Sequence, residues 1–231
     1  MPADISAFIQ LVAIIAIPII IAITFHEAAH GFVAWRCGDD TAYRLGRVTF
    51  NPLRHIDPIG TIILPAVLYL STGFMFGYAK PVPVNFRRLR NPRRDMVLVA
   101  AAGPGINILL AIASAILLHF VPREGSVVAE TIGHIMVVSV AVNVILAVFN
   151  MLPLPPLDGG RVAVGLLPYP LSMYLARVER YGMLILIMAI FILPWIGSQL
   201  GIDLGIVQWV IGPVAGRIES FIYWMTGNGP G

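Results

Sequence analysis

Phe25-His26-Glu27-Ala28-Ala29-His30 stands at the end of an almost unbroken hydrocarbon run, Phe8-Ile9-Gln10-Leu11-Val12-Ala13-Ile14-Ile15-Ala16-Ile17-Pro18-Ile19-Ile20-Ile21-Ala22-Ile23. A helix through the run and the motif, over residues 6–35, is long enough to cross a bilayer. On that helix His26 and His30 lie one turn apart and project to the same side. Two imidazoles at this spacing can hold one Zn²⁺, and Glu27 can reach a water bound to it. At this chain's own His and Glu frequencies, a chance match to His-Glu-x-x-His is on the order of one in several hundred. The bland reading, two surface or capping histidines, is weakened by location. Ionisable groups in a lipid-embedded helix are costly and default to a functional reading.

Composition agrees with a membrane setting. Of 231 residues, 58% are hydrophobic and only 12% charged, and mean hydropathy is +0.86. A soluble domain carries roughly 25% charged residues. The apolar residues fall in long blocks, which predicts an all-α polytopic membrane protein of about five to six transmembrane helices. The single cysteine, Cys37, excludes an intramolecular disulfide and a cysteine-rich zinc ribbon. The net charge of +3 comes from arginine clusters without an aromatic or amphipathic nucleic-acid pattern, so no nucleic-acid partner is expected. The amino terminus has no basic run before the apolar block, which argues against a cleavable signal peptide.

The intervening chain is uneven. Residues 36–58 are polar and broken; 47–50 alternates weakly and is expected as a short β element, and Asn51-Pro52 marks a turn ahead of His55. His55 reads equally as a site residue or a turn residue. Residues 59–76 are apolar but barely long enough to span, and Pro65 interrupts them. Lys80-Pro81-Val82-Pro83-Val84-Asn85 follows, with prolines that forbid helix. Arginines 87, 88, 90, 93 and 94 come next. The positive-inside rule sets these and the 36–54 loop in the cytoplasm, which a full crossing by 59–76 contradicts. A re-entrant excursion resolves the parity and requires a covered or water-filled cavity. Later spans are expected at 96–120, 127–152, 181–196 and 206–224. The final residues, 226–231, read as disordered. The whole chain, 1–231, reads as one membrane domain, with a catalytic core at about 6–162 and accessory helices at about 181–225.

Catalytic zinc needs three protein ligands and a water. Asp158, in Asn150-Met151-Leu152-Pro153-Leu154-Pro155-Pro156-Leu157-Asp158-Gly159-Gly160, follows a proline-broken helix end that can aim a carboxylate inward. An ordinary cytoplasmic turn explains Asp-Gly-Gly equally well, and Asp39, Asp40 and Asp57 are rivals from the polar loop. Asn143 and Asn150 are seven apart on one helix face. They can bond a substrate strand or an oxyanion, or simply join helices.

The pair of motifs, with Gly103-Pro104-Gly105-Ile106-Asn107 on a span between them, resembles the site-2 protease family of intramembrane zinc metalloproteases. The resemblance covers most of the chain up to about Val162. Asn51-Pro52-Leu53-Arg54-His55 and Ala79-Lys80-Pro81-Val82-Pro83-Val84-Asn85 look like a compact branch without PDZ or CBS domains. The resemblance implies one Zn²⁺ per chain on His26, His30 and Asp158. It further implies Glu27 as general base, Asn150 as a catalytic or substrate-positioning residue, and transmembrane segments as substrates. The expected location is the plasma membrane, with the site toward the cytoplasm. A transporter or channel lined by broken helices also suits intramembrane His, Asp and Asn, but no inverted repeat is visible. An inactive helix-binding scaffold is the third reading, against which the complete ligand set argues. Substrate identity, regulatory signal and oligomeric state are not written in the sequence.

Overall fold

The first helix sets the depth of everything else. The computed structural model describes residues 2–63, 67, 80–122 and 126–229, and in it α1 runs Pro2–Arg36. Within its stretch Ile9–Arg36, eighteen consecutive residues reach a mean hydropathy of 2.4. At 1.5 Å per residue, His26 lies about 25 Å along from Ile9, near the far edge of a hydrocarbon layer about 30 Å thick. Pro18 sits within α1 without ending it. The helix stops where Gly38, at φ +112°, takes a conformation that a side chain would resist. The short α2 (Thr41–Arg44) follows.

The remaining helices are α3 (Pro92–Leu117), α4 (Val127–Asn150), α5 (Asp158–Leu166), α6 (Leu171–Ile187), α7 (Leu193–Leu200) and α8 (Ile206–Met225). A π-turn, Met188–Ile192, joins α6 to α7, so Leu171–Leu200 is one continuous apolar rod. The span expected at 181–196 is therefore the middle of a longer helix whose amphipathic start carries Arg177 and Arg180. Among the described residues four helical stretches are long and apolar enough to cross a membrane: Ile9–Arg36, Pro92–Phe120, Val127–Asn150 and Leu171–Leu200. The expected 206–224 span is helical, but Arg217 and Glu219 make α8 more polar than these four.

Helices α1, α3 and α4 pack on one another; α5 lies against α3, α6 against α5 and α8 against α4. The seam is built from small and β-branched side chains: Ala111 and Ala115 of α3, Val140 and Val144 of α4, and Ile211, Ala215 and Ile222 of α8. Small residues let helices approach closely where lipid removes any hydrophobic drive to associate. Polar pairs reinforce the seam. Ser114 and Ser139 share a 2.8 Å hydrogen bond between α3 and α4, and Gln10 Nε2 donates to Thr131 Oγ1 at 2.7 Å between α1 and α4. Large apolar residues such as Ile9, Leu109, Ile145, Trp195 and Trp209 point outward, as a bilayer requires.

The expected β element does not form: among the described residues no strand is present. The physical reason is a shortage of donors. Pro81 and Pro83 have no N–H, and the N–H of Val82 between them donates to the Glu27 carboxylate instead of a neighbouring strand. The 47–50 piece is irregular and covers α1, with Phe50 stacked on Phe25 at 4.3 Å between ring centroids. The re-entrant excursion expected at 59–76 lies outside the described residues beyond Ile63, apart from Val67. Its brackets are described. Lys80 N–H donates to His55 O at 2.9 Å, and Arg90 N–H donates to Cys37 O at 3.0 Å. The chain therefore leaves α1 and enters α3 at the same end of the bundle.

Candidate metal centre

His26 and His30 are buried side by side on α1. Asp158, in the first turn of α5, meets them: its Oδ2 lies 3.1 Å from His26 Nε2 and 3.3 Å from His30 Nε2. The two Nε2 atoms are 3.0 Å apart. These are the three residues whose ligand atoms cluster with metal-binding spacing among those described.

Local sequence explains how a carboxylate 128 positions after the second histidine arrives there. Pro153, Pro155 and Pro156 cannot continue α4, so the chain turns after Asn150. The start of α5 then packs backbone to backbone on that turn. A Cβ at Gly159 would overlap the main chain of Met151 and Leu152, and one at Gly160 the main chain of Leu154 and Pro155. Only glycine permits this approach, and the approach carries Asp158 inward. An acid in the first helical turn also faces the positive end of the helix dipole.

The donor set fits a cation. His30 Nδ1–H donates to the main-chain oxygen of Val99 at 2.7 Å, and His26 Nδ1–H donates to Asn107 Oδ1 at 2.6 Å. With both Nδ1 positions protonated, each neutral imidazole presents a lone pair at Nε2. Asp158 Oδ2 is buried and has no hydrogen-bond donor. Three acceptors thus face one another without a proton between them. A positive ion resolves that arrangement. With zinc–ligand bonds of about 2.0–2.2 Å, tetrahedral ligands are about 3.3 Å apart, close to the distances found.

Gly103 of α3 lies directly against the pair. A Cβ there would overlap His30 Nε2 and come within 2.6 Å of His26 Nε2. Gly105, two residues on, has open space around it. Gly103→Ala is expected to cut zinc content of the purified protein at least tenfold, whereas Gly105→Ala retains a full complement by elemental analysis. Equal zinc in both variants would refute the close fit.

The other sequence candidates sort by their partners. Glu27 is half-buried, and its Oε2 accepts the Val82 N–H at 2.7 Å. Asn150 is half-buried at the end of α4 and donates to Leu146 O at 2.9 Å, within its own helix. Asn143 is fully buried and joins helices: it donates to Ser139 O and accepts from Asn107. The rival acids serve the loops. Asp39 accepts from the Thr41 and Asn85 N–H groups, Asp40 pairs with Arg44 and Arg88, and Asp57 accepts from the Ile59 and Gly60 N–H groups. His55 is buried and donates from Nε2 to Thr49 O at 2.9 Å, a turn role. In the sequence Asn107 enters only as the last residue of the Gly103-Pro104-Gly105-Ile106-Asn107 motif, with no role of its own. An amide in an otherwise apolar span was the available signal for more.

A model of peptidase family M50 matches residues 120–193, which include Asp158. YwhC of Bacillus subtilis, a protein named provisionally as a zinc metalloprotease, is 37% identical over 190 residues, covering 80% of this chain and 83% of YwhC. Rip2 of Mycobacterium tuberculosis, named in the same way, is 28% identical over 193 residues, covering 83% of this chain and 70% of Rip2. Rip2 of Mycolicibacterium smegmatis is 28% identical over 170 residues, covering 73% and 62%. No solved structure matches the chain.

Proposed function

From the premise that this chain belongs to peptidase family M50, the site-2 proteases, and is a membrane-embedded, zinc-dependent metalloprotease, we propose that it cleaves peptide bonds within transmembrane segments of other proteins, as in regulated intramembrane proteolysis. The observation that carries this reading is the acceptor-only triangle of His26, His30 and Asp158, set about 25 Å into a membrane-crossing helix. These three would hold the zinc. When bound, zinc supplies a Lewis acid for the scissile carbonyl and lowers the pKa of water toward neutrality.

The protein's own groups supply the rest. Glu27 is the proposed general base. The Val82 N–H fixes its Oε2, leaving Oε1 to take a proton from the attacking water and pass it to the leaving amine. Asn150, eight residues before Asp158, is proposed to hold substrate backbone. A helical substrate must unwind locally before its carbonyl is accessible, because its peptide groups are engaged in i→i−4 bonds. The enclosing α1, α3 and α4 exclude bulk water, which strengthens each polar interaction in the site.

The arginine-rich loops share the end of the bundle that holds the centre, which supports a cytoplasmic orientation in the plasma membrane. The hydrogen bond joining His55 to Lys80 supports a re-entrant path for the segment they bracket. In a background lacking Cys37, cysteines at Ser126 and Arg90 are expected to react with impermeant reagents from opposite sides, Arg90 from the cytoplasm. Labelling of both from one side would overturn this topology.

The function is tested with purified protein, single-span peptides in liposomes and mass spectrometry of the products. The expected result is a chelator-sensitive cut inside the apolar segment. Cleavage confined to soluble peptides, or zinc flux without cleavage, would overturn the proposal.

A further inference from the structure

The two imidazoles are oriented from one helix, α3, in unequal ways. His30 relies on the Val99 main-chain oxygen, an acceptor that no side-chain substitution removes. His26 relies on a side chain, Asn107, which is wholly buried. An amide can present either end, so the useful question is what makes Asn107 show its oxygen. The surrounding bonds answer it. Asn143 Nδ2 donates to Ser139 O at 2.8 Å, and a main-chain oxygen can only accept, so Asn143 must turn its own Oδ1 toward Asn107. Asn107 therefore turns its Nδ2 to that Oδ1 at 2.8 Å, and the same Nδ2 donates to Ala22 O at 3.2 Å. Only Oδ1 remains to face His26. An oxygen there accepts a proton from Nδ1 and leaves the lone pair on Nε2, facing Asp158 Oδ2.

We infer that Asn107 is a positioning residue for the metal centre: it fixes the tautomer and ring orientation of His26, and its own orientation is fixed by Asn143 and the Ser139 and Ala22 carbonyls. The inference rests on the proposed role of His26 as a ligand. It assigns the asparagine of Gly103-Pro104-Gly105-Ile106-Asn107 a task across α1, α3 and α4. Partners that orient metal-bound histidines characteristically contribute 10–100-fold in metal affinity.

The test compares Asn107→Leu with Asn107→Asp. Leucine keeps the bulk and loses the acceptor. Aspartate keeps an oxygen for His26 Nδ1–H and loses the donor to Asn143 and Ala22. Zinc affinity is measured by chelator competition, and the melting temperature on metal-free protein. Asn107→Leu is expected to weaken zinc about 10–100-fold. Asn107→Asp should bind within about threefold of wild type while melting well below it, which separates the acceptor's role from packing. A merely structural residue would leave affinity unchanged in both, or weaken both alike in step with melting; either result overturns the inference. ¹⁵N NMR of the histidine rings in zinc-loaded wild type needs no variant. A proton on His26 Nδ1 with metal on Nε2 is expected, and the reverse refutes the assignment. His26→Ala is the reference: unchanged zinc there removes the ligand reading itself, whereas loss there with retention in Asn107→Leu removes only this inference.

Discussion

Glu27→Gln is expected to keep one zinc per chain and lose peptide-bond cleavage by a factor of about 10²–10⁴, the usual contribution of a positioned general base. Three features separate the two readouts. Glu27 lies outside the ligand triangle of His26, His30 and Asp158, so the metal should stay. Its Oε2 receives the Val82 N–H at 2.7 Å, and the glutamine carbonyl oxygen can receive the same bond, so the clamp between α1 and the proline segment persists. What glutamine lacks is an atom that can carry a proton from water to the leaving nitrogen. Elemental analysis and product formation on one preparation give the answer. Glu27→Leu is the informative companion, since it also deletes the Val82 bond and is expected to lower the melting temperature, which Glu27→Gln should not. Cleavage within threefold of wild type in Glu27→Gln would remove Glu27 from the mechanism.

The legibility of this site follows the range of its interactions. His26 and His30 are four apart on one helix, and helical periodicity alone sets them on one face. Asp158 was visible because prolines and glycines announce a break in the helix, but its delivery depends on backbone contacts of Gly159 and Gly160 with residues 151–155 that no spacing encodes. Val82 and Asn107 were not legible as partners of Glu27 and His26. They lie 55 and 81 positions away, and a hydrogen bond at that separation has no local signal. The strand expected at 47–50 shows the reverse error. Weak alternation suggested a ladder, yet the neighbouring Pro81-Val82-Pro83 offers one N–H in three residues, and a carboxylate takes it. Helix boundaries shifted for a related reason. Charges at Arg177, Glu179 and Arg180 break the hydropathy signal but not the helix, so Leu171–Leu200 extends beyond its apolar centre.

Asp158→Ala is the second decisive substitution, expected to weaken zinc by at least tenfold and to abolish cleavage. Two imidazoles on one helix are too few protein ligands for a catalytic zinc, which takes three. The rival acids of the polar loop are committed elsewhere. Asp39 is wholly buried and bonded to the Thr41 and Asn85 N–H groups. Asp40 is tied to two arginines. Asp57 accepts two main-chain N–H groups at the start of the Pro58–Ile63 turn, and its replacement by alanine is expected to leave zinc bound. Asp158→Asn sharpens the case. It preserves shape and an oxygen, but it adds an NH₂ group facing two Nε2 lone pairs and removes the negative charge. The amide can then donate to an imidazole, satisfying the triangle without a cation. Weak zinc binding is therefore expected even though the fold survives, and the metal-free Asp158→Asn protein should melt no lower than metal-free wild type. That last comparison isolates electrostatics from packing, because three facing acceptors destabilise the empty site and an added donor relieves them. Full zinc occupancy and turnover in Asp158→Ala would transfer the third ligand to another residue and dismantle the centre described above.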